Sequence, residues 1–429
     1  MNAANHPLSA EKPRYRILIA GFGLVTPLGG SAWQTFKNLL AGKTLAGRVG
    51  NLPADVTPVD LVKAVGAVTQ AQHTATDPAV ELAERAGREA AMAARVEVPG
   101  LPAFVGTSKG AVHALTAALR SKLPHPPSTT LHAPPPPDAD LAVALGPHGY
   151  LNHHLQQRLH LGPVHHHVGA CASSLTALHH ARLSLLNDTA FSSSDTRYPT
   201  PDTRHTTHAL VITAEASLLP LFIHSYRRLG ILAEQTADAY RERPLDNARQ
   251  GFVLGEAGAA VLLRRVPIED EPMPGETELL DTASAAEAHD LIRPSPTMPA
   301  LRHIAEQLFT GRSIDAIHPH APGTADHDPV EMNVYTDVLK HTGQITPPQI
   351  YACKGALGHS LGAAGLSALV IACLSAKAHQ RPPMPWLTSP IDSPFPLKPQ
   401  ASNLKPTTTH AVFASGFAGH TAGAVIRHH

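Results

Sequence analysis

Short apolar runs that end in glycine or small residues alternate with amphipathic stretches along most of the chain. Arg16 to Gly23 is such a run and predicts a buried strand entering a turn. Trp33 to Gly42 and Pro78 to Arg95 carry helical patterning, the second rich in Ala and Glu. Ala103 to Thr107 reads as a strand running into a glycine-containing loop. A helix is expected over Asp140 to Leu159, interrupted near Gly146-Pro147. Val164 to Val168 reads as a central strand. Ala172 to Asn187 places Leu175, Leu178, Leu183 and Leu186 at roughly helical spacing. Ala209 to Thr213 is a strand, a helical segment follows Glu215 as far as Leu229, and Ala259 to Arg265 is a further strand.

After an acidic, proline-containing linker at 266–276 the pattern begins again. A strand is followed by a helix at 298–310, a strand from Ile314 to His318 and a helix from Val330 to Leu339. Next come a strand from Gln349 to Cys353, a helix from Leu361 to Ala376, and closing strands around 410–414 and 422–427. Strands alternating twice with helices imply two α/β halves with largely buried mixed sheets, at 14–265 and 277–429. Residues 1–13 read as a loose tail, 122–140 as a proline-rich excursion and 188–207 as a polar exposed loop.

The charge balance narrows the field of functions. Lys plus Arg and Asp plus Glu both number 34, so no strong field points to nucleic acid. The cysteines Cys171, Cys353 and Cys373 are too few for a disulfide framework, and a reducing cytoplasmic setting is expected. No apolar run reaches the roughly 18 residues of a membrane span. The first residues lack the basic-then-apolar form of a signal peptide. The glycines at 21, 23, 29 and 30 do not form GxGxxG, so dinucleotide binding is not expected.

Candidate chemistry centres on Gly169-Ala170-Cys171-Ala172-Ser173-Ser174. Small residues permit a sharp strand-to-helix bend that leaves the thiol at a helix N-terminus. Unpaired N–H groups and the helix dipole there favour a thiolate, predicting a lowered thiol pKa and a nucleophile. A buried structural cysteine is the alternative, and Cys353 and Cys373 read as core. His320 ends a strand before a Gly/Pro turn. In the helix that follows, Asp328 is expected to cap the N-terminus, with Glu331 at the capping-box position. Lys354 and His359 share a glycine turn after another strand, and Phe417 lies in the turn Gly416-Phe417-Ala418-Gly419-His420. Pro244 to Glu256 is dense with turns and charges and reads as a scaffold. His327 and His420 read as surface or turn residues, and Arg227-Arg228 as exposed, solvated helix charges. Strand alternation sends the middle ring of His165-His166-His167 to the opposite face, so no metal site is expected there.

Taken in order, these stretches resemble the β-ketoacyl-ACP synthases, elongating condensing enzymes of the thiolase-like superfamily, over residues 14–427. Lys354 to Gly365 is similar to K-x-x-x-G-H-x-x-G-A-A-G, and Arg243 to Gly258 to R-P-F-D-x-x-R-x-G-F-V-x-G-E-G-A-G. Gly416 to His420 resembles the family's G-F-G-G-[HT] turn. His320, Gly323, Thr324, Asp328 and Glu331 fit H-G-T-G-T-x-x-x-D-x-x-E without a gap, with Ala321 and Pro322 as departures. Ala368 stands where the family usually carries a glutamate paired with the motif lysine.

The resemblance implies a five-layered αβαβα thiolase-like fold. It implies 3-oxoacyl-[acyl-carrier-protein] synthesis in fatty-acid or polyketide-type pathways. Cys171 would accept the acyl chain, and His320 and His359 would act as neutral hydrogen-bond donors during malonyl decarboxylation. Neither has an acid directly beside it in sequence. Lys354 would support the electrostatics, and the N–H groups of Cys171 and Phe417 would form the oxyanion hole. Phe417 would gate the acyl site, and Thr324 would contact the phosphopantetheine arm. No metal or separate cofactor is implied. The implied partners are an acyl-carrier protein and a second synthase subunit, identical or related, in a dimer. A thiolase would need a second reactive cysteine near the C-terminus, and 410–429 contains none. The alternative from another class is a non-catalytic, chain-length-factor-like partner subunit.

Overall fold

The computed structural model describes residues 14–44, 61–62, 77–122, 138–187, 207–233 and 242–429. The expected tail at 1–13, residues 188–206 of the polar loop expected at 188–207 and residues 123–137 of the excursion expected at 122–140 lie outside the described residues. A ten-stranded sheet organises the fold. Its strands are β1 (Tyr15–Val25), β2 (Ala103–Gly106), β3 (Val164–His167), β4 (His208–Glu215), β5 (Ala257–Pro267), β6 (Thr277–Ala286), β7 (Ala316–His318), β8 (Gln349–Ile350), β9 (Thr408–Ser415) and β10 (His420–His428).

Their spatial order is β8-β7-β9-β10-β6-β1-β5-β4-β2-β3. Read outward from the β1–β6 seam, the first half runs 1-5-4-2-3 and the second runs 6-10-9-7-8, the same order displaced by five strands. The pairing senses repeat too. The first two neighbour pairs of each half are antiparallel, and the outer two are parallel. At the seam, Leu18 pairs with Glu278. The repeated strand–helix pattern in the sequence is thus a repeated topology.

The helices of nine residues or more are α1 (Ala32–Leu40), α2 (Pro78–Ala94), α3 (Val112–Ser121), α4 (Ala139–Leu159), α5 (Ser173–Leu186), α6 (Pro220–Arg228), α7 (Pro299–Phe309), α8 (Asp328–His341) and α9 (Ala364–Lys377), and a single helical turn, Lys354–Leu357, carries Lys354. Every residue of α9 from Ala364 to Ala376 is buried, the mark of a helix covered on all sides. It packs with α5 between the two halves, and each of these helices touches strands of both. The α5 and α9 N-termini are tied by a hydrogen bond from Leu366 N to Ser174 Oγ, 3.1 Å. Helices α2 and α4 cover the outer face of the first half through a separate apolar cluster, and α7 and α8 cover the second. The layers are therefore αβαβα.

The α4 interruption falls where expected, with Gly146 at φ 64°, ψ 179° before Pro147. One expectation changes, and one helix goes unannounced in the sequence. Val164–His167 is an edge strand of the sheet and not a central one. Helix α3 was not legible: it starts without a side-chain cap, and its first-turn support comes from outside, where Asp77 accepts from Ala114 N at 2.8 Å.

Candidate active site

Four loops at strand ends meet beneath one cavity of about 340 Å³, whose walls include Cys171, His320, His359 and Phe417. Cys171 sits in a 3-10 turn (Ala170–Ala172) that leads directly into α5. Gly416 lies against it: a Cβ there would come within 2.8 Å of both Cys171 N and Gly169 O. Only glycine lets the Phe417 turn approach the Cys171 backbone this closely.

Each loop carries a non-glycine residue in the left-handed region beside its functional residue. Ala170 has φ 49°, Ala321 φ 31°, Leu361 φ 42° and Ala418 φ 57°. Such conformations cost about 1–3 kcal/mol each and persist where surrounding contacts over-determine them. At His320 those contacts come from α8. The Glu331 carboxylate accepts from His320 N (2.6 Å), Ala321 N (2.7 Å) and Tyr335 Oη (2.7 Å). Asp328 accepts from Gly323 N (3.0 Å) and Leu245 N (2.8 Å). The expected capping box is therefore absent: His327 precedes α8 without a side-chain cap bond. Both carboxylates hold neighbouring loops instead of capping the helix, and Glu331 keeps one partner, Tyr335, on α8 itself.

The 244–256 stretch clamps both histidine loops from the other side. Gly251 N donates to Gly323 O (2.8 Å), His359 N to Val253 O (2.7 Å) and Gly255 N to His359 O (3.0 Å). Lys354 Nζ donates to the carbonyl of His320, so the two histidine motifs are joined directly. The rings of His320 and His359 stand 5.4 Å apart at 75°, and His359 meets the edge of Phe252 at 4.8 Å. His327 is not a surface residue. It is buried, its ring centroid lies 5.0 Å from that of His320, and its Nδ1 is 3.4 Å from Glu331. His420 is exposed, as are Arg227 and Arg228.

Burial, and then the Lys354 charge, hold both His320 and His359 well below the usual histidine range, so both rings are neutral. Burial pushes the Cys171 thiol up to about 12, against the pull of Lys354 and Lys109. The sequence led to the opposite expectation of a lowered thiol pKa; desolvation outweighs the helix terminus here. Ala368 is buried and apolar, and Lys354 takes the His320 carbonyl as its partner. The nearby Glu242 is buried, accepts from Val253 N at 3.1 Å, and leaves its second oxygen without a partner among the described residues. Thr324 and Pro322 line the cavity wall beyond His320.

Residues 14–267 match the family description "Beta-ketoacyl synthase, N-terminal domain", and residues 281–387 match "Beta-ketoacyl synthase, C-terminal domain". The chain belongs to the β-ketoacyl synthase family. It is 27% identical over 264 residues to a 3-oxoacyl-[acyl-carrier-protein] synthase 2 of Mycobacterium leprae, covering 59% of this chain and 58% of that protein. It is 23% identical over 399 residues to the Coxiella burnetii 3-oxoacyl-[acyl-carrier-protein] synthase 2, covering 87% and 89%. Two solved structures share the fold. One is a type II polyketide ketosynthase in complex with its acyl-carrier protein (TM-score 0.75, 19% identity, 97% of this chain and 100% of that one). The other is the ishigamide ketosynthase/chain length factor (TM-score 0.74, 21% identity, 97% and 100%).

Lys109, Glu215 and Glu242 were not singled out as site residues in the sequence. Lys109 and Glu215 stand at strand ends, the same signal that marked His320. No helix of the described residues is long and apolar enough to cross a membrane.

Proposed function

We propose that this synthase makes 3-oxoacyl-[acyl-carrier-protein] by acyl transfer to Cys171 followed by decarboxylative Claisen condensation with a malonyl-carrier thioester. The supporting observation is the convergence of Cys171, His320 and His359 on one cavity wall, with both imidazoles neutral. In the first step Cys171 Sγ bonds the acyl carbonyl, and the carrier thiol leaves with a proton. A thiol protonated at rest needs an acceptor for its own proton, and a neutral imidazole in the same cavity supplies one. The N–H groups of Cys171 and Phe417 would hold the oxyanion.

In the second step the malonyl C–C bond breaks and CO2 departs. Negative charge passes to the thioester oxygen, where His320 and His359 donate hydrogen bonds. The enolate carbon then bonds the acyl carbonyl, the C–S bond to Cys171 breaks, and the released thiolate takes up a proton from solvent to restore the thiol. Lys354 supports the field, Asp328 and Glu331 hold the His320 loop, and Thr324 faces the phosphopantetheine arm. Phe417 gates the acyl side, where it packs at 6.2 Å from Tyr226. The acyl groups arrive on the carrier's phosphopantetheine, so no separate cofactor or metal enters these steps. The partners are an acyl-carrier protein and a second synthase subunit, identical or related, and the setting is cytoplasmic.

A second reading is a chain-length-factor-like partner subunit. Pro322 and Ala368, both departures from the motif pattern, favour it, whereas Cys171 favours the enzyme. Mass spectrometry after incubation with acyl-carrier thioester separates the two: acylation on Cys171 supports the enzyme, and its absence supports the partner. Cys171→Ala should abolish acyl transfer and Cys171→Gln should leave malonyl decarboxylation running. A Cys171→Ala protein that still condenses would end the proposal.

A further inference from the structure

Two charged groups beside the thiol have no part in the steps above. Glu215 ends β4 and is fully buried. Its carboxylate accepts from the backbone N–H of Ser108 and, at 3.2 Å, of Lys109; its other oxygen accepts from Ser217 Oγ at 2.9 Å. Gly362, in the turn after His359, presses on the same carboxylate, and a Cβ there would lie 2.6 Å from Glu215 Oε1. The turn that Glu215 holds carries Lys109, whose ammonium is 5.5 Å from the centroid of Phe222. Phe222 packs against the apolar cluster that contains Cys171, Tyr226 and Leu361.

The duplicated strand order gives this arrangement a meaning. β2 in the first half corresponds to β7 in the second, and β4 corresponds to β9. The Ser108–Lys109 turn is thus the counterpart of the His320 turn, and the end of β4 at Glu215 is the counterpart of the end of β9 before Phe417. Strand ends of both halves surround one thiol.

We propose that Glu215 is a positioning residue for the nucleophile: it fixes the Ser108–Lys109 turn and thereby sets the Lys109 ammonium as a second cationic support, beside Lys354, for the Cys171 thiolate. The titratable groups facing Glu215 are Lys109, Cys171 and Tyr226. Burial raises the Glu215 carboxyl to about 7. Below that pH it is neutral and the lysines act unopposed. Above it the carboxylate grips its N–H donors more strongly but opposes the thiolate.

The test is alkylation of Cys171 by iodoacetamide between pH 5.5 and 9, followed on the Cys171 peptide by mass spectrometry. The inference rests on Cys171 as the nucleophile of the proposed function. Alkylation is read apart from condensation, so a wild type that alkylates but never condenses counts against that function and not against this comparison. Lys109→Gln should slow alkylation several-fold across the range. Glu215→Gln keeps an oxygen for the N–H donors and removes the charge. It should match wild type below about pH 6 and exceed it by a few-fold up to about tenfold at pH 8.5, a shift of at most one pKa unit. A Lys109→Gln protein alkylating like wild type would overturn the proposal, as would a Glu215→Ala protein, in which the Ser108–Lys109 turn loses its acceptor, that alkylates as fast as Glu215→Gln. If Glu215→Gln does not fold, Lys109→Gln alone decides.

Discussion

The Lys354 ammonium donates to the backbone carbonyl of His320, so the lysine of one motif holds the histidine of the other. A hydrogen bond from a charged group is worth about 1.5–3 kcal/mol. Lys354→Met should therefore slow malonyl decarboxylation about ten- to a hundredfold, each factor of ten corresponding to ~1.4 kcal/mol. The defect should lie mainly in kcat, because the bond orients His320, a donor in the proposed decarboxylation. A change confined to KM would show that Lys354 only seats the substrate.

Glu331 holds three donors from a fully buried position. Glu331→Ala strands two backbone N–H groups and the Tyr335 hydroxyl. At about 1–3 kcal/mol for an unsatisfied buried group, the loss should be several kcal/mol. Urea denaturation monitored by circular dichroism checks this. Unchanged stability would mean that the His320 loop has other support.

Away from the cavity, His318 and His410 form a buried pair, Nε2 to Nδ1 at 3.1 Å, and His410 reaches Thr408 Oγ1 at 3.1 Å. Burial holds His318 well below the usual range and His410 at about 4. Both folded values lie below the unfolded one, so the unfolded chain takes up protons first as pH falls. The stability conferred by their neutral forms is complete above about pH 6.5 and declines from there towards pH 4. The urea midpoint should drop steadily from pH 7 to pH 5. A flat midpoint would contradict the neutral pair.

Ala418 occupies φ 57° in the Phe417 turn. Ala418→Gly removes a left-handed penalty of about 1–2 kcal/mol, less the entropy that glycine adds to the unfolded chain. The net effect should be a small rise in melting temperature, read by calorimetry. Gly416→Ala should do the reverse, because its Cβ would collide with Cys171 N. Acylation of Cys171 should then fall by about a hundredfold or more if the Phe417 N–H is displaced from an oxyanion hole. A Gly416→Ala protein acylated at the wild-type rate would show that the turn tolerates the displacement.

Much of this was legible because glycine, proline and apolar runs punctuate the chain. The strand ends at Cys171, His320 and His359 and the break at Gly146 could be placed from such signals. Helix α3 could not, since it begins without a cap of its own and leans on Asp77. Val164–His167 was placed at the wrong depth because three polar rings in a short strand suit an edge, where one side lacks a neighbour. The capping reading of Asp328 and Glu331 rested on local spacing, whereas their partners are loops distant in sequence or folded back over the helix. The thiol pKa went astray for a related reason: sequence shows a helix start but not how far its first turn is desolvated.

The seam between the two halves has one further consequence. The thiol belongs to the first half and the paired imidazoles to the second, so neither half holds all the groups of the proposed mechanism. At the seam the strands pair at Leu18 and Glu278, while α5 and α9 meet end to end through Ser174 and Leu366. The thiol and the two imidazoles are thus aligned by how α5 packs on α9, within one apolar core that runs through both halves. A substitution at that helical contact should act on the chemistry through the distance between thiol and imidazoles.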